Sequence, residues 1–247
     1  MRGGECPADA QRRNRPQARP LHSIVKSAKF YPLTLFTSIT YPVDHAPARA
    51  PVARPELILA STSPYRRELL NRLRLPFTVH APVVDETPRP GEAPEQTALR
   101  LAEAKARAVG AAHPESLVIG ADQVATLDGA QLGKPGDHAR ALAQLRRMRG
   151  RRVRFHSALC LFDARRAEAR CVNVPTEVEF RDLDDATLDA YLRAERPYDV
   201  AGSAKVEGLG ITLLAGVRSI DPTALIGLPL IALSEMLREA GYPLFTP

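Results

Sequence analysis

No stretch of about 18 apolar residues occurs in the 247-residue chain, so no segment has the length and hydropathy of a membrane-spanning helix. Cysteine is scarce. Cys6, Cys160 and Cys171 are the only three; they follow no metal-ligand spacing, and an odd count builds no closed disulfide framework. Cys160 and Cys171 lie in apolar, strand-like runs and read as small buried hydrophobes, which suits a reducing cytoplasm. No internal repeat is present. Charge of one sign is also missing from most of the chain. The net +6 combines 34 basic with 28 acidic residues, and the first 55 residues hold nine basic against three acidic. The rest is therefore neutral, which excludes a general nucleic-acid binder by charge.

The same 55 residues contain eight of the 22 prolines and no sustained periodicity. They read as a disordered, basic, Pro-rich extension. Its apolar run 30–36 is short, interrupted by Pro32 and far from the start, a poor signal peptide. The extension is then either a targeting segment or upstream sequence from a misplaced start codon. At 45% apolar residues, the remainder, 56–247, is long enough to hold one sizeable core.

In that body, strand and helix patterns alternate. Four apolar residues, 57–60, are too few for a helix and read as a buried strand. Ser61-Thr62-Ser63-Pro64-Tyr65-Arg66-Arg67 follows, and Ser63 before Pro64 is a helix-start signal: a hydroxyl cap, then a proline whose missing N–H costs nothing there. Leu69, Leu70 and Leu73 give the core stripe of a helix over 64–74. Further elements are a strand at 77–79, a helix at about 92–110, a buried strand at 117–120 and a helix at 137–149 stopped by Gly150. Two β-rich runs at 153–163 and 170–181 suggest a hairpin. A helix at 184–195, strands near 210–214 and 217–220, and a helix at 229–240 complete the pattern. The fold class is α/β with a mixed central sheet flanked by helices, because the middle strands lack intervening helices.

Several polar residues sit where the pattern does not need them. A strand-to-helix turn with free N–H groups, several hydroxyls and two guanidiniums is an anion-binding corner, although a capped helix with solvated arginines has the same sequence. Ala98, Leu101, Ala102 and Val109 mark a buried helical stripe, and Lys105 falls on it. Its ammonium either snorkels out along its methylenes or reaches an anion in a cleft. Asp122 closes an apolar strand, where α/β folds place catalytic or metal-binding groups. Glu86 lies in a Pro-rich loop, and Gly133-Lys134-Pro135 holds a lysine in a stiffened one. Two carboxylates, two lysines and an arginine, each near the end of a different element, suit a polyphosphate with a divalent metal. Mg²⁺ typically uses one or two carboxylates together with substrate phosphate oxygens.

These segments together resemble the Maf family of nucleotide pyrophosphatases. The resemblance rests on 60–70, on Asp85-Glu86, Ala104-Lys105-Ala106, Gly120-Ala121-Asp122, Gly133-Lys134-Pro135 and Gly227-Leu228-Pro229-Leu230 in family order, and spans about 56–243. It implies a Maf/inosine-triphosphatase-like fold, a divalent cation (Mg or Mn) as cofactor, and cleavage of a nucleoside triphosphate into monophosphate and diphosphate. Carried over, Asp122 matches the proton acceptor. Ser63, Arg66, Lys105 and Lys134 match substrate-binding positions, and Glu86 with Asp122 the metal ligands. A cytoplasmic homodimer with neither nucleic-acid nor membrane partners is also implied.

Within the family, Tyr65, Gln123 and Glu207, together with Phe155-His156-Ser157, are similar to the branch that hydrolyses 7-methyl-GTP and keeps that modified nucleotide out of RNA. Tyr65 offers a cation–π face to the positively charged N7-methylguanine, and Glu207 offers an acceptor to a guanine edge. The alternatives are a dTTP/UTP pyrophosphatase of the same family, a nucleotide-binding regulator of septum formation, and nucleic-acid binding through the basic extension.

Overall fold

The computed structural model describes residues 54–245. The expectations for residues 1–53, including Cys6 and the run 30–36, lie outside the described residues. The sheet has seven strands: β1 (Glu56–Ala60), β2 (Thr78–His80), β3 (Ser116–Leu127), β4 (Ala130–Leu132), β5 (Arg152–Asp163), β6 (Glu168–Phe180) and β7 (Leu214–Arg218). Their order is β2-β1-β3-β5-β6-β7, with β4 pairing β3. β1 runs parallel to β2 and β3, and every other pairing is antiparallel. The expected mixed α/β sheet is therefore present. Its helices are α1 (Pro64–Asn71), α2 (Pro94–Gly110), α3 (His138–Met148), α4 (Asp185–Glu195) and α5 (Leu230–Glu239).

Alternation along the strands decides which helix each face receives. On β1 and β3, Leu57, Leu59, Leu117 and Ile119 face a cluster with Leu69 and Leu70 of α1 and Leu233 and Leu237 of α5. Their neighbours Ile58, Ala60 and Val118 face Ala98, Ala102, Ala106 and Val109 of α2. Farther along the sheet, Leu145 and Met148 of α3 and Leu188 and Leu192 of α4 pack on Leu127, Phe155 and Val178. The alanine-rich stripe of α2 is what lets that helix lie close to the sheet. Closest approach falls at Gly120, where an added Cβ would stand 2.1 Å from the Ala102 carbonyl oxygen and 2.8 Å from the Ala106 nitrogen.

Several expectations need correction. β3 does not stop at Gly120 but continues to Leu127, because β5 pairs with it from Leu117 through Thr126. Asp122 is thus a mid-strand residue. β1 does end there, with Ala60 opposite Gly120, so beyond that point β3 has lost its parallel neighbour. The segment expected as a strand at 210–214 is mostly a 3₁₀ turn, Leu209–Leu213, and the last strand is Leu214–Arg218. The cause is the loop before it, which folds back so that the Gly210 N–H donates to the Lys205 carbonyl at 2.9 Å. Cys160 is buried as expected, but Cys171, directly across the hairpin from it, is exposed. α1 ends at Asn71 instead of 74. Among the described residues, no helix is long and apolar enough to cross a membrane.

Gly120→Ala tests the close packing of α2. A methyl group against a backbone carbonyl forces helix and sheet apart, and overpacking of this kind typically costs about 1–3 kcal/mol. Chemical denaturation should show that loss of stability together with reduced function of the neighbouring site.

Candidate active site

Where β1 ends and β3 runs on without it, a cleft of about 500 Å³ opens, within the roughly 300–1,000 Å³ usual for small-molecule sites. All nine residues singled out from the sequence line it: Ser63, Tyr65, Arg66, Glu86, Lys105, Asp122, Gln123, Lys134 and Glu207. They come from six different places along the chain and converge only in the fold.

Lys105 lies at the centre. It is on the inner stripe of α2, 6% exposed, with Asp122 at 7%. Its Nζ lies 2.7 Å from Asp122 Oδ1 and 2.7 Å from Glu86 Oε1. Of the two sequence readings for Lys105, snorkelling to solvent and reaching into a cleft, the second describes its position. A buried ammonium demands such partners, since an unpaired charge there would be costly. The hydrogen bond from Lys105 is the main cause holding the Glu86 carboxyl below its ordinary value, opposed by desolvation and aided by the charges of Lys105, Lys134 and Arg66.

Ser63 is the N-cap of α1. Its hydroxyl accepts from the Arg66 N–H at 3.4 Å, and its own N–H donates to Ser61 Oγ at 3.1 Å. The helix-cap reading of this corner therefore holds, and it coexists with a place in the cleft. Arg66 donates from Nε to the Gly227 carbonyl at 3.0 Å. Gly227 has φ of 110°, a conformation that favours glycine. Burial pulls the Arg66 guanidinium below its ordinary value, with Asp122 and Glu86 opposing; an arginine remains charged all the same. Arg67, the second guanidinium of the corner, does not line this cleft.

Gln123 points away from Asp122 in the strand alternation. Its Nε2 donates to Ser157 Oγ at 2.9 Å and to the Ala224 and Leu225 carbonyls at 3.1 and 2.9 Å. With its donors spent, Gln123 has only its carbonyl oxygen to offer a ligand. Of the Phe155-His156-Ser157 trio, Phe155 lines the cleft and Ser157 fixes Gln123, while His156 belongs to a separate surface groove. Lys134 is exposed on a loop held by two bonds: Gln144 Nε2 donates to the Gly133 carbonyl at 2.9 Å, and the Gly136 N–H to the Tyr198 carbonyl at 2.9 Å. Crowding by the surrounding protein raises the Glu207 carboxyl above its ordinary value, against the opposing charge of Lys205.

Sequence reasoning missed the supports. Gln131 and Asp199 also line the cleft, and nothing in their local sequence sets them apart. Arg100 donates to Glu92 from Nε at 2.6 Å and from Nη2 at 2.8 Å, and to the Thr87 carbonyl at 3.2 Å, pinning the loop that carries Glu86. Ser157 was marked only as part of the Phe155-His156-Ser157 trio; its role as the partner of Gln123 emerges from the pairing of β3 with β5.

Two carboxylates that approach one cation from two sides suit a divalent metal whose remaining ligands are phosphate oxygens and water. Glu86 and Asp122 already share a cation, the Lys105 ammonium, and so meet that condition. Among the described residues no group of three or more His, Cys, Asp or Glu is arranged to hold a metal by itself, so such an ion depends on its substrate for ligands.

The Glu92–Arg100 pair yields a pH prediction. The hydrogen bond from Arg100 lowers the Glu92 carboxyl from 4.5 to about 2. A depressed folded-state value means the stabilisation is present above the unfolded value and is lost as pH falls through the folded one. Thermal melts of the native protein and Glu92→Gln should differ by a constant amount above about pH 5 and converge as pH approaches about 2.

A family-wide sequence profile described as "Maf-like protein" matches residues 56–240. The 7-methyl-GTP pyrophosphatase of Ralstonia nicotianae is 69% identical over 192 residues, covering 78% of this chain and 99% of that protein. The proteins of the same name from Paraburkholderia xenovorans and Cupriavidus metallidurans are 68% and 67% identical, covering 77% and 78% of this chain and 94% and 96% of theirs. Among solved structures, the Staphylococcus aureus Ham1 protein has a TM-score of 0.38 at 19% identity, covering 51% of this chain and 72% of that one, too slight a likeness to carry an argument. The profile match instead runs through every element that builds the cleft, from β1 to α5, and by it this chain belongs to the Maf family.

Proposed function

We propose that this protein is a hydrolase of phosphorus-containing anhydrides that converts 7-methyl-GTP to 7-methyl-GMP and diphosphate, and so removes a modified nucleotide before it enters RNA. One observation carries the reading: the cation-bracketed carboxylates Asp122 and Glu86 share a single cleft with Tyr65, Gln123 and Glu207. The names of the relatives agree with it.

The two groups of residues divide the work. Arg66, Lys105 and Lys134 neutralise charge that builds on the phosphates as the α–β anhydride opens, the electrostatic contribution that is usually the largest in such reactions. Lys105 positions the Asp122 carboxylate through Oδ1 in the resting site, and Asp122 is the group placed to take the proton from the attacking water. Glu86 and Asp122 would hold a divalent cation, Mg²⁺ or Mn²⁺, which would supply the acidity that lets a weak base such as aspartate suffice. Ser63 and the first turn of α1 contribute donors at a helix N-terminus.

At the other end, the base meets two acceptors and an aromatic face. The Gln123 carbonyl and the Glu207 carboxylate suit the N1–H and N2–H₂ donors of guanine. Uracil and thymine carry a single ring donor between two carbonyls and would leave one of these acceptors facing another acceptor, a costly mismatch once the bound base shields it from water. N7-methylguanine adds a positive charge, for which Tyr65 provides a cation–π contact of about 0.5–2 kcal/mol. The catalytic domain in this reading is 56–247, with 1–55 an extension outside it. The enzyme is cytoplasmic, acts on a free nucleotide and forms a homodimer.

A product-resolved assay over a nucleotide panel with Mg²⁺ or Mn²⁺ tests the assignment. Turnover of 7-methyl-GTP should exceed that of dTTP and UTP, with the monophosphate and diphosphate as products; faster turnover of dTTP or UTP would move the protein to the other branch. Asp122→Asn should lower kcat by about 10²–10⁴, the usual contribution of general base catalysis. If the variant kept full activity, Asp122 would not be the proton acceptor.

A further inference from the structure

Beside the base-reading residues lies a lysine that does not line the cleft yet contacts Tyr65 and the loop that carries Glu207. Lys205 is not among the cleft-lining residues, whereas Tyr65, Ala204, Val206 and Glu207 are. Its Nζ stands 5.7 Å from the centre of the Tyr65 ring and 2.8 Å from Glu195 Oε1 at the end of α4. Glu195 in turn accepts from the Leu209 N–H through Oε2 at 2.8 Å. The Lys205 N–H donates to Tyr191 Oη at 3.0 Å, and its carbonyl accepts from the N–H groups of Gly208 and Gly210. One residue thus ties α1, α4 and both ends of the loop that carries Glu207. The ion pair is largely shielded, with side-chain exposures of 28% and 11%, unlike the exposed pairs that contribute little.

We propose that Lys205 is a positioning residue for base recognition, fixing the Tyr65 ring while holding the Glu207 loop in place. The proposal rests on the reading that the base lies against Tyr65 and Glu207. Its second consequence is electrostatic. Burial is the main influence raising the Glu207 carboxyl and a backbone hydrogen bond the first opposing it; of the charged groups that face it, Glu195 on α4 and Glu68 on α1 push its titration upward and Lys205 on its own loop pulls it down. Lys205 therefore helps keep Glu207 an ionised acceptor for the guanine edge.

This predicts a pattern that a merely structural brace would not give. Lys205→Met should raise KM for 7-methyl-GTP about tenfold, the scale of one cation–π contact and one charge-assisted hydrogen bond, with kcat within about threefold. The acid limb of kcat/KM for 7-methyl-GTP should move to higher pH. Lys205→Arg should restore both. Glu195→Gln breaks the brace as well but removes a carboxylate beside Glu207, so KM should again rise while the acid limb moves to lower pH. The measurements are steady-state kinetics with 7-methyl-GTP and unmethylated GTP between pH 5 and 9, with thermal melts to establish that each variant is folded. Equal losses on both nucleotides, or acid limbs that move together in the two variants, would overturn the proposal. Should Lys205→Met not fold, Glu195→Gln decides: an unchanged KM sinks the idea. A native enzyme that does not prefer 7-methyl-GTP sinks the underlying reading instead, and the two failures are distinguishable.

Discussion

The structure depends on a buried lysine that cannot be left alone. An ammonium on the inner face of a helix is tolerated only with charged partners close by, and Lys105 has two of them at 2.7 Å. That requirement brings three parts of the chain together: α2, the middle of β3 and the loop before α2. It also explains why that loop is so firmly anchored. Glu86 lies on an otherwise exposed segment, and the Arg100 bonds to Glu92 and to the Thr87 carbonyl hold the segment against α2. Removing either carboxylate would leave the ammonium short of a partner, so a functional group and a structural need coincide.

Gly120 sets the depth at which Lys105 works. With no Cβ there, the α2 backbone comes into contact with β3, and the lysine spans the short remaining distance to Asp122. The sheet topology then opens the site. Because β1 ends opposite Gly120 while β5 continues beside β3, the next residues of β3 lie on a strand with one neighbour missing. The space is taken by the start of α1, the Lys134 loop and the turn before Gly227. Ligand sites at the carboxyl ends of parallel strands are a general consequence of α/β architecture, and here the parallel part of the sheet is only three strands wide.

Most of this was legible in the sequence, for identifiable reasons. The helices follow from apolar periodicity and caps: Ser63 before Pro64, Asp137 before α3 and Asp184 before α4 each accept from the N–H three residues on. Lys105 was visible because it broke the apolar stripe of α2, and Asp122 because it interrupted an apolar run. The end of β3 was not visible, because Asp122 and Gln123 read as a strand terminus when their partner β5 is unknown; long-range pairing overrode the local signal. The turn at Leu209–Leu213 was misread as strand for a similar reason, since its apolar residues alternate suitably while the backbone is committed to Lys205. Arg100 and Lys205 carry no local mark at all, and Ser157 is marked only as part of its trio, with nothing to show that it holds Gln123. Each acts by reaching a residue far away in the chain, and only coordinates reveal that.

The charge balance of the cleft explains why its carboxylates belong in a phosphate site. Arg66, Lys105 and Lys134 supply three cations against four carboxylates, Glu86, Asp122, Asp199 and Glu207. The cleft therefore carries one net negative charge, and a purely phosphate-binding cleft would gain by losing Glu86 and Asp122. Those two would be balanced by a divalent cation brought in with the nucleotide, for which they would serve as ligands, and the Lys105 charge would then be available to phosphate oxygens in a site where low dielectric strengthens such contacts. Without such an ion, the same lysine keeps the two carboxylates from repelling one another. A lysine suits both arrangements: a flexible stem carrying a compact charge can exchange partners that the planar fork of an arginine would hold in fixed geometry.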